Sequence, residues 1–154
     1  MSEPIRPIAL CICRDGDRVL VQPLLDRVTG ERFYRVIGGG LEFGERAADA
    51  LRREWREELG VELPEPSFVA MIENVFTYQA KGYHEVVFVF SAPTPEPLRG
   101  AGPFDLVEAD GTRHQAVWVT MAELESGPMP LYPAGVLDLV RGLAPSGAGQ
   151  ATAP

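Results

Sequence analysis

Short apolar runs alternate with polar breaks over the first forty residues, a pattern typical of strands joined by turns. Two apolar runs, residues 8–13 and 19–21, flank a polar turn at residues 15–17 and predict a hairpin. Residues 33–37 predict another short strand, which runs into three glycines at residues 38–40. Consecutive glycines predict a turn in which the backbone can adopt positive φ or approach a ligand closely. The chain is therefore expected to begin with strands.

The hydrophobic period changes after the glycines. Residues 46–59 contain neither Gly nor Pro, and residues with high helix propensity dominate. Gly60 follows directly, at a position where glycine commonly ends a helix. This segment predicts an α-helix over residues 46–59.

The second half of the chain predicts further strands and two more helices. Residues 67–78 and 83–92 are rich in Val, Ile, Phe and Tyr and predict two paired strands joined at Lys81-Gly82. The later segments are a Pro- and Gly-rich loop at 93–103, a strand at 115–120, a short helix from Thr120 with Glu123 in a capping box, a helix at 132–143 and a tail of small residues at 144–154. We expect an α/β fold with a mixed sheet, one domain over residues 1–143 and a disordered tail over residues 144–154.

Composition disfavours several classes of protein. The 154 residues carry a net charge of −8, and the cations are thirteen arginines and Lys81 without a basic run, so we expect no nucleic-acid partner. No run of about 18 apolar residues is available to cross a membrane, and the first residues do not resemble a signal peptide. A cytoplasmic protein without membrane contact is expected. Cys11 and Cys13 share one face of a predicted strand, which favours buried reduced thiols.

The predicted helix carries an uneven distribution of charge. At about 100° per residue, the apolar residues form one stripe, and Glu54, Glu57 and Glu58 form the stripe beside it. Glu58 is expected to lose part of its hydration at the border, whereas Arg52 and Arg56 point away. Carboxylates three and four residues apart repel each other by roughly a few tenths of a kcal/mol per pair.

This acidic stripe is either a solvated surface or a metal site. Three features favour the metal site: glycine carbonyls at residues 38–40 can serve as oxygen ligands, Glu45 lies close to the helix start, and Arg53 borders the carboxylate stripe. A cluster of hard oxygen ligands suits Mg²⁺, with Mn²⁺ as a substitute. An acidic protein that handles an anionic phosphate substrate also needs a cation between the two.

Residues 39–61 resemble the Nudix box, G-x5-E-x7-R-E-U-x-E-E-x-G-U, in which U is aliphatic. The defined positions are filled by Gly39, Glu45, Arg53, Glu54, Trp55, Glu57, Glu58, Gly60 and Val61. Trp55 departs from the motif because it is not aliphatic. It lies in the apolar stripe, so the departure concerns packing more than chemistry. The order of strands and helices around the box is compatible with the α/β/α sandwich of the Nudix family.

The resemblance implies a role for each polar position. The expected metal ligands are Glu54, Glu57, Glu58 and the backbone carbonyl of Gly38. Glu45 and Arg53 are expected to hold the loop and the helix of the catalytic centre together. Many members carry Pro-Gly where this chain has Ile37-Gly38.

The reaction implied by the resemblance is Mg²⁺-dependent hydrolysis of a phosphoanhydride bond in a nucleoside diphosphate joined to another group. The candidates for the general base are Glu57 and Glu54 first, followed by Glu85, Glu108 and Asp110. Glu85 beside His84 is equally well explained as an ordinary exposed pair. The alternative function is a non-catalytic Nudix-like domain that senses a nucleotide, but all box carboxylates are present, which favours an enzyme.

The substrate class is less well defined by the sequence. Sequence marks of the ADP-ribose and NADH classes are absent, and Tyr78 stands where enzymes acting on dinucleoside polyphosphates often carry a tyrosine. An Asn that reads oxidised guanine is missing near the final helix. The candidate stacking residues for a base are Tyr34, Tyr78 and Tyr132, with Phe76 and Tyr83. We expect a small-molecule nucleotide as the partner, and a homodimer stays open.

Overall fold

Ten strands and three α-helices make up residues 2–143, the part of the chain that the computed structural model describes. The strands are β1 (Arg6–Ile12), β2 (Arg14–Asp15), β3 (Arg18–Leu25), β4 (Arg32–Arg35), β5 (Ile37–Gly40), β6 (Ser67–Tyr78), β7 (Lys81–Ser91), β8 (Phe104–Val107), β9 (Arg113–Thr120) and β10 (Leu131–Tyr132). The helices are α1 (Ala47–Leu59), α2 (Met121–Ser126) and α3 (Val136–Gly142), and a 3-10 turn covers Glu96–Leu98. The predicted α/β class is confirmed. The tail predicted to be disordered, residues 144–154, lies outside the described residues.

The strands form two mixed sheets, where the sequence predicted one. The first sheet has the order β5-β1-β7-β6, with β1 and β7 parallel. The second has the order β10-β4-β3-β9-β8, with β10 and β4 parallel and β2 paired to β3. The predicted hairpin between the first two apolar runs is therefore wrong in its partners: it consists only of β2 and β3. β1 is buried on both faces and takes a central position in the other sheet instead.

Two hydrophobic cores lie on opposite faces of β1. Ala9 and Cys11 belong to the first core, which also contains Leu51 and Trp55 of α1. Ile8, Leu10 and Ile12 belong to the second core, to which α2 contributes Leu124 and α3 contributes Val136 and Val140. Alternate residues of a strand point to opposite faces, so β1 separates the layer of α1 from the layer of α2 and α3. Cys11 and Cys13 are buried free thiols, as predicted, and burial raises the pKa of Cys11 well above its ordinary value.

Helix α1 agrees with the prediction to within one residue. Its N-cap is Arg46, and Gly60 ends it in the left-handed conformation with φ of 69°. The N–H of Gly60 donates to the carbonyl oxygen of Arg56 at 3.1 Å. Trp55 is buried, and its Nε1 donates to the carbonyl oxygen of Ile37 in β5 at 3.3 Å. The one departure from the family motif thus packs α1 against the glycine-rich strand.

The three consecutive glycines form β5 and not the predicted turn. β5 pairs antiparallel with β1, and Gly38 and Gly39 are opposite Leu10 and Ala9. A Cβ on Gly38 would overlap the carbonyl oxygen of Ala9. None of the three has positive φ, so Gly38 and Gly39 are needed because neighbouring atoms approach closely, whereas a Cβ on Gly40 would make only ordinary contacts.

Several boundaries in the second half differ from the prediction. β6 and β7 are paired as predicted, but the turn lies at Gln79-Ala80, where both residues have positive φ, and not at Lys81-Gly82. β8 was not predicted because four residues, three of them apolar, are too few to show a clear alternation. The last helix begins at Val136, because residues 131–132 pair with β4 as strand β10. The predicted capping box of Thr120 and Glu123 is confirmed.

Candidate active site

Arg53 of α1 ties together the loop, the helix and the glycine-rich strand. Its Nε and Nη2 donate to the two carboxylate oxygens of Glu45 at 2.8 and 2.9 Å, and Nη2 also donates to the carbonyl oxygen of Gly40 at 3.0 Å. Glu45 in turn accepts a hydrogen bond from the backbone N–H of Glu42 at 3.0 Å. The hydrogen bond from Arg53 lowers the pKa of Glu45, and Glu45 raises the pKa of Arg53. Both groups are therefore charged across the physiological pH range.

Arg53 also contacts two carboxylates of the acidic stripe. Its Nη1 lies 3.0 Å from Glu54 Oε1 and 3.2 Å from Glu57 Oε2. The side chain of Glu54 is 16% exposed and that of Glu57 is 56% exposed. A Cβ on Gly39 would overlap the Glu54 carboxylate. The missing side chain of Gly39 therefore lets this carboxylate pack directly on the strand.

Glu58 is the electrostatically strained member of the stripe, as its predicted desolvation implies. Burial and, after it, the neighbouring carboxylates of Glu54 and Glu108 together raise its pKa to about 8, while Arg35 opposes them. A carboxyl group near other carboxylates, partly out of water, favours the protonated form unless a cation is present. Arg52 and Arg56 point away, as expected, and pair with Glu65 and Glu62.

The donor set of this region fits a hard divalent cation. The side chains of Glu54, Glu57 and Glu58 offer only oxygen atoms as metal ligands. β5, which carries Gly38, lies at the edge of its sheet. Over residues 2–143, no three His, Cys, Asp or Glu side chains are already arranged around a common metal position. Glu54 and Glu57 are engaged by Arg53 instead. Ligation by these glutamates and by the Gly38 carbonyl stays a prediction.

A cleft of about 480 Å³ opens between the two sheets. Its aromatic lining consists of Phe33, Phe76, Tyr78, Tyr83 and Tyr132. Its charged lining includes Arg6, Arg35, Glu85 and Glu108. Arg35 and Glu108 both act on the pKa of Glu58, so the cleft opens next to the carboxylates of α1. A volume of this size is typical of a small-molecule site.

The aromatic side chains form two contacting groups in the cleft. The rings of Phe76 and Tyr83 are stacked with centroids 5.2 Å apart, and Phe33 contacts both Tyr78 and Tyr132, at 5.8 and 5.2 Å. The hydroxyl of Tyr132 donates to Glu31 Oε1 at 2.8 Å. Two of the three predicted stacking tyrosines, Tyr78 and Tyr132, therefore line the cleft.

Tyr34 lies elsewhere. Phe33 and Arg35 face the cleft, and Tyr34, between them on β4, packs against the second core. The alternation of a strand sends neighbouring residues to opposite faces. The sequence could not predict which face of β4 would meet the cleft, because both faces carry large side chains.

The structure places some of the sequence-based candidates for the general base in the cleft and others outside it. Glu85 is buried and, like Glu108, lines the cleft, so the interpretation of Glu85 as an exposed surface pair is wrong. His84 faces away from it and lies 3.3 Å from Glu73 Oε2. Asp110 is exposed, accepts a hydrogen bond from the N–H of Thr112 at 2.8 Å and does not line the cleft.

Sequence reasoning missed much of the cleft lining. The missed residues include Arg6, Phe33, Arg35 and Asn74. Asn74 shares a face of β6 with Phe76 and Tyr78. Its spacing of two and four residues from these candidate aromatic residues could have predicted its place in the cleft. Arg6 is separated from the motif by whole strands, and Arg35 lies close before it in sequence but in the other sheet, so only the sheet topology brings both to the cleft.

The fold and site together define a mixed α/β domain with a carboxylate helix beside a cleft. A model of the NUDIX domain matches residues 4–140. The chain therefore belongs to the NUDIX family and has the fold and motif of a Nudix hydrolase. The family predicted from residues 39–61 is confirmed. A comparison with curated protein sequences gives no significant match.

Solved structures with the same fold include other Nudix proteins. The crystal structure of the MutT NUDIX hydrolase from Burkholderia pseudomallei is similar over 92% of this chain and 100% of that one, with a TM-score of 0.65 and 24% identity. The solution structure of the E. coli ORF135 protein is similar over 89% of this chain and 86% of that one, with a TM-score of 0.61 and 24% identity. The crystal structure of the Bacillus halodurans mutator MutT protein has a TM-score of 0.59 and 22% identity over 89% of this chain and 80% of that one.

None of the helices within residues 2–143 is long and apolar enough to span a bilayer.

Proposed function

We propose that this chain uses Mg²⁺ to hydrolyse a phosphoanhydride bond in a nucleoside diphosphate joined to another group. The observation that carries the proposal is the proximity of Glu54 and Glu58 next to the cleft, where burial and the Glu54 carboxylate raise the pKa of Glu58 to about 8. A divalent cation relieves the repulsion between carboxylates that are held close together and partly out of water. Mn²⁺ should substitute, because it takes the same oxygen ligands.

The side chains of the motif would have two roles, metal binding and positioning of the loop. Glu54, Glu57 and Glu58, with the Gly38 carbonyl, would hold the metal, and Arg53 and Glu45 would keep the loop in register with α1. Bound Mg²⁺ would supply neutralisation of the diphosphate and a lower pKa for a coordinated water. The cleft would hold the nucleoside, with Tyr78 and Tyr132 against the base.

The reaction balances as a simple hydrolysis. The oxygen of water forms a bond to one phosphorus while the bridging P–O bond breaks, and each product carries one of the two phosphates. A carboxylate takes the proton of the water and passes it to solvent. Glu57 is the first candidate for this base, because its side chain is 56% exposed and can exchange the proton with water. Glu54 follows, and Glu85 and Glu108 are alternatives on the cleft wall.

A hydrolysis screen tests the proposal. Nucleoside diphosphate sugars, dinucleoside polyphosphates and nucleoside triphosphates are incubated with the protein in Mg²⁺, in Mn²⁺ and in EDTA, and the released phosphates are measured. We expect at least one class to be cleaved with either metal and none in EDTA. The absence of cleavage in every class with metal present contradicts the proposal and favours the nucleotide-sensing alternative. A cytoplasmic location stays a prediction, and the question of a homodimer stays open.

A further inference from the structure

Two polar side chains lie next to each other on the cleft face of the first sheet. Asn74 of β6 and Glu85 of β7 are directly opposite each other in the antiparallel register, and both line the cleft. The side chain of Glu85 is only 6% exposed. Within residues 2–143, neither side chain makes a hydrogen bond, and the charged contact of Glu85 is Arg6, whose Nη1 lies 3.9 Å from Oε2.

The carboxylate of Glu85 opens onto the cleft and is available to a ligand there. Its separation of 3.9 Å from Arg6 is too long for a hydrogen bond. The carboxylate oxygens accept hydrogen bonds only. Glu85 is therefore equipped to bind a ligand group that presents N–H donors inside the cleft.

The walls next to this polar pair fit a flat ring. Phe76 and Tyr83 form the next opposed pair on the same face of these strands, and their rings are stacked with an interplanar angle of 12°. The guanidinium of Arg6 lies 5.7 Å from the centre of the Tyr83 ring. A planar heterocycle can lie in contact with these apolar surfaces and direct its polar edge at Asn74 and Glu85.

We propose that Glu85 and Asn74 read the polar edge of a guanine base, an inference that rests on the proposed nucleotide hydrolase function. Guanine presents two adjacent N–H donors, at N1 and at the 2-amino group, which match the two oxygens of a carboxylate. Its O6 lies beside N1 and accepts a hydrogen bond from the amide of Asn74. Adenine and cytosine place a ring-nitrogen acceptor beside their amino group, and uracil places its single N–H between two carbonyls. A carboxylate would repel those acceptors.

This role differs from that of a general base at the same residue. A base-reading Glu85 changes the ratio of affinities between nucleotides, whereas a general base changes the rate of hydrolysis of every substrate by the same factor. Nucleoside 5′-monophosphates separate the two roles, because they contain no phosphoanhydride bond and cannot be hydrolysed by the proposed reaction. Their binding can be measured whether or not the screen finds a substrate, so a failure of the proposed function and a failure of base reading are distinguishable.

The test measures binding of GMP, IMP, AMP and CMP by calorimetry at one fixed Mg²⁺ concentration. IMP differs from GMP only by the missing 2-amino group, so it removes one donor to Glu85. We expect GMP to bind about tenfold more tightly than IMP and at least as much more tightly than AMP or CMP, the discrimination of one good bidentate pair. In Glu85→Gln the difference between GMP and IMP should vanish. Glu73→Gln is the matched control, because Glu73 is adjacent to Asn74 but lies on the outer face of β6; it should bind as the wild type does.

Equal binding of GMP and IMP by the wild type, or no binding of GMP, overturns the proposal. So does a Glu85→Gln variant that keeps the tenfold ratio, or that weakens all four nucleotides by one common factor. If Glu85→Gln fails to fold, Asn74→Asp provides the second test. It replaces the donor to O6 with a carboxylate, so GMP affinity should fall by about tenfold while CMP affinity changes little. An unchanged ratio of GMP to CMP in that variant overturns the proposal as well.

Discussion

Arg53 and Glu45 form a bidentate ion pair in which two guanidinium nitrogens, Nε and Nη2, lie 2.8 and 2.9 Å from the two carboxylate oxygens. The remaining nitrogen, Nη1, contacts Glu54 and Glu57. One planar cation thus fixes the loop before α1 and orients two of the expected metal ligands. A guanidinium can do this because its donors form a rigid fork, which an ammonium group lacks.

Arg53→Lys should therefore lose both stability and activity. We expect a loss of about 1–3 kcal/mol in the free energy of unfolding, because several charge-assisted hydrogen bonds are broken together. A fall in kcat of at least about tenfold should accompany it, since the expected metal ligands lose their orientation. Urea unfolding and a phosphate-release assay measure the two effects.

Arg52→Lys is the control for this variant. Arg52 is the neighbouring residue on the same helix and pairs with the exposed Glu65. It should change stability by no more than about 0.5 kcal/mol, the range of surface ion pairs, and leave kcat unchanged. Equal effects of the two substitutions would show that the Arg53 network has no special role.

Glu57→Gln should keep the fold and lower turnover by at least about a hundredfold, because it removes one charge from the proposed metal site with almost no change of shape. Circular dichroism checks the fold, and the assay of phosphate release gives kcat. Glu62→Gln, on the exposed surface beyond α1, is the matched control. Near wild-type turnover in Glu57→Gln would exclude this residue from the reaction.

Mg²⁺ should raise the melting temperature of the wild type. A ligand that binds only the folded state stabilises it by mass action, by roughly 2.7 kcal/mol at a hundred times its dissociation constant. Glu54→Gln should reduce the shift, because it removes a proposed ligand, while Glu62→Gln should leave it intact. Thermal unfolding in millimolar Mg²⁺ and in EDTA makes the comparison. Identical melting curves for the wild type in both solutions would contradict Mg²⁺ binding at this site.

The stability of the fold should depend on pH through Asp26, which lines the cleft. Although burial opposes ionisation, hydrogen bonds from the N–H groups of Val28, Gln79 and Thr29 lower its pKa below the ordinary value of 3.8. The folded state binds this proton less readily than the unfolded state does. The ionised carboxylate therefore stabilises the fold above pH 3.8, and that stability is lost as the pH falls through the lowered pKa.

Asp26→Asn should accordingly lower the melting temperature at pH 7 and have a progressively smaller effect below pH 3.8. Asp105, an exposed residue of β8, provides the control, and Asp105→Asn should have little effect at either pH. Thermal unfolding from neutral to acidic pH follows the difference. If Asp26→Asn lowers the melting temperature by the same amount at every pH, the charge of the carboxylate is not what stabilises the loop.

Local patterns predicted those parts of the structure that depend on neighbours in the sequence. Helix α1, its end at Gly60 and the capping box of α2 follow from propensity and capping. The spacing of Glu54 and Glu58 on one helix was enough to predict their proximity and the partial burial of Glu58.

The same local patterns could not predict which strands pair across long distances in the sequence. Three glycines in a row resemble a turn, and only the antiparallel register with β1 shows that Gly38 must lack a side chain. In the same way, only the packing of α1 on β5 brings the Glu54 carboxylate against Gly39. The sequence could not decide between a surface position and a site position for Glu85, because nothing local reveals that the second sheet covers its face of β7. The cleft is a product of topology, so its contents could be predicted only in part.

Hydrolysis in ¹⁸O-labelled water is the most direct test of the proposed reaction. With the best substrate from the screen and Mg²⁺, the products are separated and analysed by mass spectrometry. Attack of water on phosphorus predicts one ¹⁸O atom in one of the two product phosphates and none in a sugar or base fragment. Label bonded to carbon would mean that a glycosyl or ester bond is cleaved, and the phosphoanhydride mechanism would be wrong.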